Sequence, residues 1–350
     1  MKIAIVGAGL FGRLLAFSLL QAGKKNITLF DKDPLHASKS AGMTAAGMIA
    51  PFSELEKSPL LIAQIGCESL TRWPLILKQL NSNIYFRQLG SLITAHPKDH
   101  SELTHFIRQI TQTCAETPYQ FLKMEALQNL EPEVDANTNW YYFPEEGQID
   151  AQALIECLAQ KLEFLPYFQR EIIDIHEIQK HFDLVFDCRG VGGRTYFKDL
   201  RGVRGELVWL HAPSVKLSRP IRYLHPRYSI YIVPRPNDIY IVGASEIECE
   251  DYSPISLRSL MELLSTAYNV HKGFIEARII QTAVNCRPAL SNHLPKIKYA
   301  DKVIAVNGLY RHGFLLAPVL IEEILKYLAN GFSEIQYPIL WEKIRDYSFV

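Results

Sequence analysis

The sequence has little that indicates a metal site or a disulfide framework. Its six cysteines are scattered and include no C-x-x-C pair, and none of its eleven histidines stands in an H-E-x-x-H sequence. Unpaired, scattered thiols are typical of a reducing compartment. We therefore predict no metal ion and no structural disulfide, and we predict a cytoplasmic location.

Excess charge and long hydrophobic runs are also missing. Lysine plus arginine number 37 and aspartate plus glutamate number 37, so the formal net charge is zero. This balance gives no electrostatic reason to expect nucleic acid or an anionic membrane as a partner. The most apolar N-terminal stretch is interrupted by glycines and Arg13, and it has neither the charged start nor the cleavage site of a signal peptide. No run is long and apolar enough to predict a membrane span.

The sequence does contain a strand, a glycine turn and a helix in residues 1–23. Residues 2–6 predict a short buried strand, Gly7, Gly9 and Gly12 form G-x-G-x-x-G, and residues 14–22 predict an apolar helix. The first glycine allows the tight turn, the second lets the backbone approach a pyrophosphate, and the third lets helix and strand pack closely. The free N–H groups at the start of the helix suit phosphate oxygens. Together these features predict a dinucleotide site.

The second predicted strand, residues 26–30, ends in an acid. Asp31 can accept hydrogen bonds from the adenine ribose hydroxyls and repels a 2′-phosphate, an effect that Lys32 weakens slightly. The predicted ligand is therefore FAD or NAD. Residues 40–51 (SAGMTAAGMIAP) follow, where an NAD-dependent dehydrogenase usually continues into another strand–helix unit. Small side chains let the backbone pack against an extended ligand, which favours FAD; a flexible loop is the alternative.

The remaining chain has α/β character at both ends and a strand-rich middle. Residues 183–188 and 302–306 predict buried strands, and the second of these leads into a helix that ends near Gly331. Between them, period-two patterns predict strands at 206–210, 229–233 and 239–242. Residues 234–238 are predicted to form a hairpin turn between the last two.

This order predicts α/β plus antiparallel β as the fold class. We expect a Rossmann-like FAD-binding domain built from discontinuous segments, residues 1–80, 145–204 and 285–350. An inserted mixed-sheet domain, residues 81–144 and 205–284, is predicted to bind the substrate.

A series of segments resembles one known family. They are GAGLFG, LFDKD, TAAGMIAP, DLVFDCRGVGGR, VRGE, YIVPR with VGAS, CRPALSNHLP and NGLYRHGFLLAP. In this order they resemble the D-amino-acid-oxidase superfamily of FAD-dependent oxidoreductases, and most closely its glycine oxidases of thiamine biosynthesis, over nearly the whole chain. The resemblance implies an enzyme with non-covalent FAD that oxidises glycine or another small amino acid by hydride transfer from Cα to flavin N5. The imine product then hydrolyses, and O2 reoxidises the flavin to give H2O2.

The resemblance also implies the residues of the cofactor site. The turn at the pyrophosphate comprises Gly7, Ala8, Gly9, Leu10, Phe11 and Gly12. Asp31 and Lys32 adjoin the adenosine, and Ile172 reaches the adenine side through its backbone. The small-residue segment contributes Ser40, Thr44, Ala46, Gly47 and Met48. The C-terminal segment lines the flavin with Leu309, Tyr310, Arg311, His312, Gly313, Phe314 and Leu315.

An amino-acid substrate brings a carboxylate, and arginine suits it because its planar fork donates two charge-assisted hydrogen bonds. The resemblance implies Arg287 as the carboxylate-binding residue, with Arg311 and Tyr231 beside the substrate. Glu246 occupies a position that is not acidic in close relatives, and it either binds the amine of a polar substrate or faces solvent. Cys286 is one residue out of register with the cysteine that tethers FAD in some sarcosine-type relatives, which favours a buried structural thiol.

The residues around Arg287 depart from the family pattern, in which G-L-R-P and T-P-D-G replace the NCRP and LSNH of this chain. The exact substrate therefore stays open. The alternatives are a D-amino-acid or sarcosine dehydrogenase with a non-oxygen acceptor, an oxidase-like domain that acts on a modified tRNA base, and a non-catalytic FAD-binding protein. The expected partners are a small amino acid, O2 and further copies of the chain as a homo-oligomer, with no nucleic acid and no membrane.

Overall fold

The computed structural model describes residues 1–134 and 138–344. Residues 135–137 and 345–350, which belong to the predicted domains, lie outside the described residues. The described helices are α1 Leu10–Gln21, α2 Leu60–Leu80, α3 His100–Thr113, α4 Met124–Leu130, α5 Ala151–Leu162, α6 Ile175–Gln179, α7 Leu257–Val270 and α8 Gly313–Asn330. The described strands are β1 Ile3–Val6, β2 Ile27–Asp31, β3 Met48–Ile49, β4 Phe86–Arg87, β5 Ser91–Ala95, β6 Gln120–Leu122, β7 Trp140–Phe143, β8 Gly147–Ile149, β9 Tyr167–Gln169, β10 Leu184–Asp187, β11 Arg201–His211, β12 Ile221–His225, β13 Tyr228–Arg235, β14 Ile239–Gly243, β15 Arg278–Ala289, β16 Lys296–Ala300, β17 Val303–Asn307 and β18 Trp341–Lys343.

The first sheet places the glycine turn and the acid at one edge. Its strand order is β18-β16-β17-β10-β1-β2-β9. Strands β17, β10, β1, β2 and β9 run parallel, with Ile3 of β1 opposite Leu184 of β10 and Ile27 of β2. Parallel neighbours end at the same edge, so Gly7 and Asp31 lie side by side there.

Helices cover one face of this sheet and form the larger core. Helix α1 contacts α5 and α8, and α2 contacts α8. Ile5 and Phe186 of the sheet are fully buried in one hydrophobic cluster with Leu14, Leu158 and Leu320 of the helices. Strand residues buried on both faces of the sheet explain why β1 and β10 read as continuous apolar runs.

The second sheet is mixed and has the strand order β15-β11-β14-β13-β12-β5-β7-β6. Its pairs are antiparallel except β5 with β12, which run parallel. Helix α7 packs on one face, where Val208, Ile232 and Leu263 are buried together. The opposite face, with Leu207 and Val233, packs against Ala46 of the small-residue segment before β3. A small third sheet, β3-β8-β4, lies between these parts of the chain.

This architecture confirms the predicted fold class, a parallel α/β unit combined with a mixed, mostly antiparallel sheet. Strand β11 is longer than the predicted 206–210 because it pairs along its length with β15 and over its second half with β14. Strand β13 continues through Arg235, so the predicted turn shortens to three residues, of which Asn237 and Asp238 have φ of 63° and 57°. The domain boundaries stay a prediction, and strands β11 and β15 each cross one of them.

None of the helices in the described ranges is long and apolar enough to cross a membrane. Within the same ranges, no group of three or more histidine, cysteine, aspartate or glutamate side chains is arranged to hold a metal ion.

Candidate active site

A large cavity of about 730 Å3 lies between the two main sheets. It is lined by residues at the carboxyl ends of β1, β2, β10 and β17, and by residues of β11, β13 and β15. Ligands of open parallel sheets bind outside the carboxyl ends of the strands. The cavity therefore joins the place where the first sheet can bind a nucleotide to one face of the second sheet.

Most of the predicted site residues line this cavity. They are Gly7, Gly9, Leu10, Phe11, Asp31, Lys32, Ser40, Thr44, Ala46, Gly47, Met48, Ile172, Tyr231, Arg287, Leu309, Tyr310, Arg311, His312, Gly313, Phe314 and Leu315. Ala8 and Gly12 are absent from the lining. A Cβ on Gly12 would lie 1.9 Å from the carbonyl oxygen of Gly7, so Gly12 is required by the packing of helix α1 on the turn.

Gly7 and Gly9 of the glycine turn line the cavity. Gly7 has a φ of 99°, and a Cβ there would lie 2.4 Å from the carbonyl oxygen of Cys188 at the end of β10. Only glycine accepts both the positive φ and this close approach. Helix α1 begins at Leu10, and Gly9, Leu10 and Phe11 all line the cavity, so the N-terminus of the helix lies at the cavity wall.

Asp31 is held rigidly at the cavity wall. Its carboxylate accepts hydrogen bonds from the backbone N–H groups of Ala8 at 2.5 Å and Asp33 at 2.9 Å. The buried Arg13 donates to the carbonyl oxygens of Ala8 at 2.5 Å and Leu35 at 2.7 Å, which ties helix α1 to the loop after β2. The acid is therefore presented beside the glycine turn, as a ribose-binding carboxylate requires.

Arg189 is a residue of this site that sequence reasoning missed. Its guanidinium forms an ion pair with the buried Asp187 at 2.7 Å and donates to the carbonyl oxygens of Ile172 at 2.7 Å and Ile173 at 2.8 Å. This clamp fixes the segment around Ile172 against the carboxyl end of β10. The D-C-R order at the end of a buried strand was the available signal, because it places an arginine two residues after an acid.

A second buried arginine shapes the small-residue segment. Arg235 donates to the carbonyl oxygens of Ala46 and, at 2.8 Å, Ile149, and to the side-chain oxygen of Gln148 at 2.6 Å. Burial lowers the pKa of Arg235 to about 10, which leaves it charged at neutral pH. Gly47 in this segment has a φ of 66°, and a Cβ there would lie 2.0 Å from the Ile149 carbonyl oxygen.

Arg287 presents a guanidinium to the cavity without a carboxylate partner. One of its N–H groups donates to the carbonyl oxygen of Ser245 at 3.1 Å. Across the described ranges, no carboxylate oxygen lies within 4.0 Å of its side-chain nitrogens. A Cβ on Gly205 of β11 would lie 2.4 Å from its guanidinium carbon, so the planar group rests directly on glycine backbone. Tyr231 lines the same end of the cavity, and its hydroxyl makes no hydrogen bond to any other described residue.

Arg311 differs from Arg287 because it already holds two carboxylates. Its guanidinium pairs with Glu54 at 3.1 Å and with Glu246 at 3.0 Å. Burial acts to lower the pKa of Arg311, but the two carboxylates raise it above its ordinary value. Burial acts to raise the pKa of Glu54, but Arg311 and Arg222 outweigh it and lower that pKa to about 2. Sequence reasoning missed Glu54, which lies in the short 3-10 helix Ser53–Glu56.

His312 remains neutral in this charged surrounding. Its side chain is 3% exposed, and its Nε2 lies 3.1 Å from the hydroxyl of Ser58. Burial lowers the pKa of His312 to about 4, more than Glu54 raises it. The imidazole is therefore a neutral hydrogen-bonding group at physiological pH.

FAD fits the cavity on features of the structure itself. Gly7 and Gly9 of the glycine turn line the cavity, and the Asp31 carboxylate stands beside that turn. The N-termini of both α1 and α8 open on the same space, where Leu10 and Gly313 lie within reach of each other. Helix N-termini stabilise negative charge, which suits a pyrophosphate at one and an electron-rich ring at the other.

Comparisons with known proteins agree with this site. The profile of the DAO family, described as FAD dependent oxidoreductase, matches residues 2–325. A Rhizobium etli protein named as a thiamine biosynthesis oxidoreductase, ThiO, is 35% identical over 329 residues, which cover 94% of this chain and 96% of that protein. The crystal structure of glycine oxidase from Geobacillus kaustophilus matches with a TM-score of 0.82 at 21% identity and covers 98% of each chain. Iminodiacetate oxidase from Chelativorans sp. BNC1 matches with a TM-score of 0.79 at 16% identity, over 99% of this chain and 100% of its own. The chain belongs to the DAO family of FAD-dependent oxidoreductases.

Proposed function

We propose that this protein oxidises glycine or another small amino acid at its Cα–N bond. The observation that carries the proposal is Arg287, a cavity-lining guanidinium that forms no ion pair within 4.0 Å with any carboxylate of the described residues. A carboxylate of the substrate supplies the missing partner through two charge-assisted hydrogen bonds. Arg311 is less suited to this role, because ion pairs with Glu54 and Glu246 already compensate its charge.

The residues around the cavity supply a complete set of groups for holding FAD. The turn at Gly7 and Gly9 with the start of α1 would hold the pyrophosphate, Asp31 and the Ile172 backbone would hold the adenosine, and residues 46–48 and 309–315 would hold the flavin. Bound FAD would supply the acceptor for the hydride of Cα, with O2 as the final oxidant and H2O2 as the product. Burial raises the pKa of the Cys286 thiol, and its sulfur lies 3.6 Å from the carbonyl oxygen of Asp251. Such a protonated thiol supports the proposal that FAD is not covalently attached.

The chain's own residues then have a positioning task. Arg287 rests on Gly205 and is tied to Ser245, so its direction is set before the substrate arrives. The free hydroxyl of Tyr231 can donate to the same carboxylate. Holding the reacting carbon in one orientation lowers the barrier by several kcal/mol, and this contribution needs no acid or base from the protein.

Anaerobic titration of the purified holoenzyme tests the proposal. Glycine, sarcosine, D-alanine and D-proline are added in turn while the flavin absorbance is recorded, and air is then admitted with a peroxide assay. We expect glycine to bleach the flavin and peroxide to form on reoxidation. Bleaching without peroxide would instead support a dehydrogenase with another acceptor, and an unchanged spectrum with all four compounds would overturn the proposal.

We further propose that the product serves the formation of the thiazole of thiamine. The name of the Rhizobium etli relative supports this role. Restored growth without thiamine, when the chain is expressed in a bacterium that lacks its own thiamine-pathway glycine oxidase, would be the expected result. Failure of an active enzyme to restore growth would contradict the role. The cytoplasmic location and the homo-oligomer stay predictions.

A further inference from the structure

The substrate end of the cavity contains a carboxylate that the oxidation itself does not require. Glu246 follows strand β14, lines the cavity, and keeps 37% of its side chain exposed. One of its oxygens accepts a hydrogen bond from the Tyr310 hydroxyl at 2.5 Å, and the other accepts one from Arg311 at 3.0 Å. Each oxygen of this carboxylate therefore has one partner, and the side chain still lines the cavity.

Glu246 is ionised where it stands. Burial acts to raise the pKa of this carboxyl, but Arg311 and the hydrogen bond from Tyr310 lower it below its ordinary value. Lys57 also faces it, with 3.8 Å between the ammonium nitrogen and the carboxylate. The negative charge is thus a permanent feature of the cavity wall at neutral pH.

The carboxylate lies next to the free guanidinium. Arg287 donates to the carbonyl oxygen of Ser245, the residue directly before Glu246. The wall therefore presents a guanidinium that is hydrogen-bonded to Ser245 and a carboxylate on the residue that follows Ser245. An α-amino acid carries its carboxylate and its amine on the same carbon, so the carboxylate can reach the guanidinium while the amine reaches the Glu246 carboxylate.

We propose that Glu246 is a specificity residue that binds the N–H groups of the substrate's amine while Arg287 binds its carboxylate. This inference rests on the proposed function and names the substrate class: amino acids with one carboxylate and a primary or secondary amine. A second carboxylate attached to the nitrogen would meet the negative charge of Glu246, and like charges at close range repel each other. We therefore expect kcat/KM for sarcosine to exceed that for iminodiacetate by about 100-fold or more.

The test uses the Glu246→Gln holoenzyme and two ligands, glycine, which has an amine, and acetate, which has none. Acetate has the carboxylate without the amine, and its dissociation constant follows from the change in flavin absorbance. We expect KM for glycine to rise about tenfold or more, as for the loss of a charged hydrogen bond. The dissociation constant of acetate should instead fall, because the anion no longer meets a negative wall. The opposite signs separate recognition of the amine from a general disturbance of the site, which would weaken both ligands.

Two further variants keep the test decisive. Glu56→Gln removes a nearby carboxylate that pairs with Arg222 at 2.7 Å and does not line the cavity, so the ratio of the two constants should stay as in the wild type. Glu246→Met removes both the charge and the acceptor oxygens. As in Glu246→Gln, KM for glycine should rise and the dissociation constant of acetate should fall. If glycine reduces the wild-type flavin, the inference is overturned when KM for glycine and the dissociation constant of acetate change in the same direction in the Glu246 variants, or when neither changes. Failure of glycine and the other amino acids to reduce the wild type would instead refute the proposed function.

Discussion

Replacing Gly205 with alanine tests whether Arg287 works only in its present position. An alanine Cβ would lie 2.4 Å from the guanidinium carbon of Arg287 and 2.4–2.5 Å from two of its nitrogens. Carbon atoms in contact prefer separations of about 3.5–4.0 Å, so the guanidinium has to move by about 1 Å. Its planar fork then fits the substrate carboxylate with one good hydrogen bond in place of two. The loss of one charged hydrogen bond, about 1.5–3 kcal/mol, predicts a rise in KM for glycine of about 10- to 150-fold.

The assay for Gly205→Ala is steady-state oxidation of glycine together with binding of acetate, at saturating FAD. Both KM and the acetate dissociation constant should rise, because both ligands use the same guanidinium. Gly192→Ala adds the same methyl group at a position where the nearest atom would be 3.4 Å away, and it should keep the wild-type values. Combining Gly205→Ala with Arg287→Ala should cost little more than Arg287→Ala alone. A wild-type KM in Gly205→Ala, or fully additive losses in the double variant, would refute the reasoning.

Three further predictions concern the cofactor, the charge cluster and a buried carboxyl group. Asp31→Ala should weaken FAD binding about tenfold or more, seen as flavin fluorescence released on dilution; full retention would contradict its role. Arg311→Met leaves Glu54 and Glu246 without their shared cation, so urea unfolding should show a loss of about 3–5 kcal/mol, part of which Glu54→Gln restores in the same chain. Burial raises the pKa of Glu146 from 4.5 to about 7, so the wild-type free energy of unfolding should fall by about 3 kcal/mol as pH rises between those values, and Glu146→Gln should abolish this slope.

The nucleotide half of the site could be predicted because its determinants are local. The turn from Gly7 to Gly12 contains its own geometric reasons for glycine, and Asp31 follows it after one helix and one strand. The parallel sheet then brings the two together without help from the rest of the chain. Ala8 shows the limit of the pattern, because the motif places it in the turn while its backbone N–H serves the Asp31 carboxylate.

The substrate half depended on contacts that span the chain. The position of Arg287 at the substrate could be predicted from its motif. Its lack of an ion pair could not, because this depends on which carboxylates the folded chain brings near it. Glu54 carries no signal in its own segment, and it pairs with Arg311, which is 257 residues away. Strand pairing in the second sheet similarly decided that β11 extends to Arg201 and that β13 includes Arg235.

By itself the sequence determined that this chain folds around a dinucleotide-binding turn, combines it with a mixed sheet and binds FAD. Those features follow from side-chain size, backbone freedom and periodicity over short stretches. The tertiary structure alone decided which of the two arginines at the substrate end is free. Glu54 and Glu246 arrive from separate segments and neutralise Arg311, whereas Arg287 rests on glycine and keeps its charge for a ligand. Charge compensation depends on distances between groups far apart in sequence, and only the folded chain sets those distances.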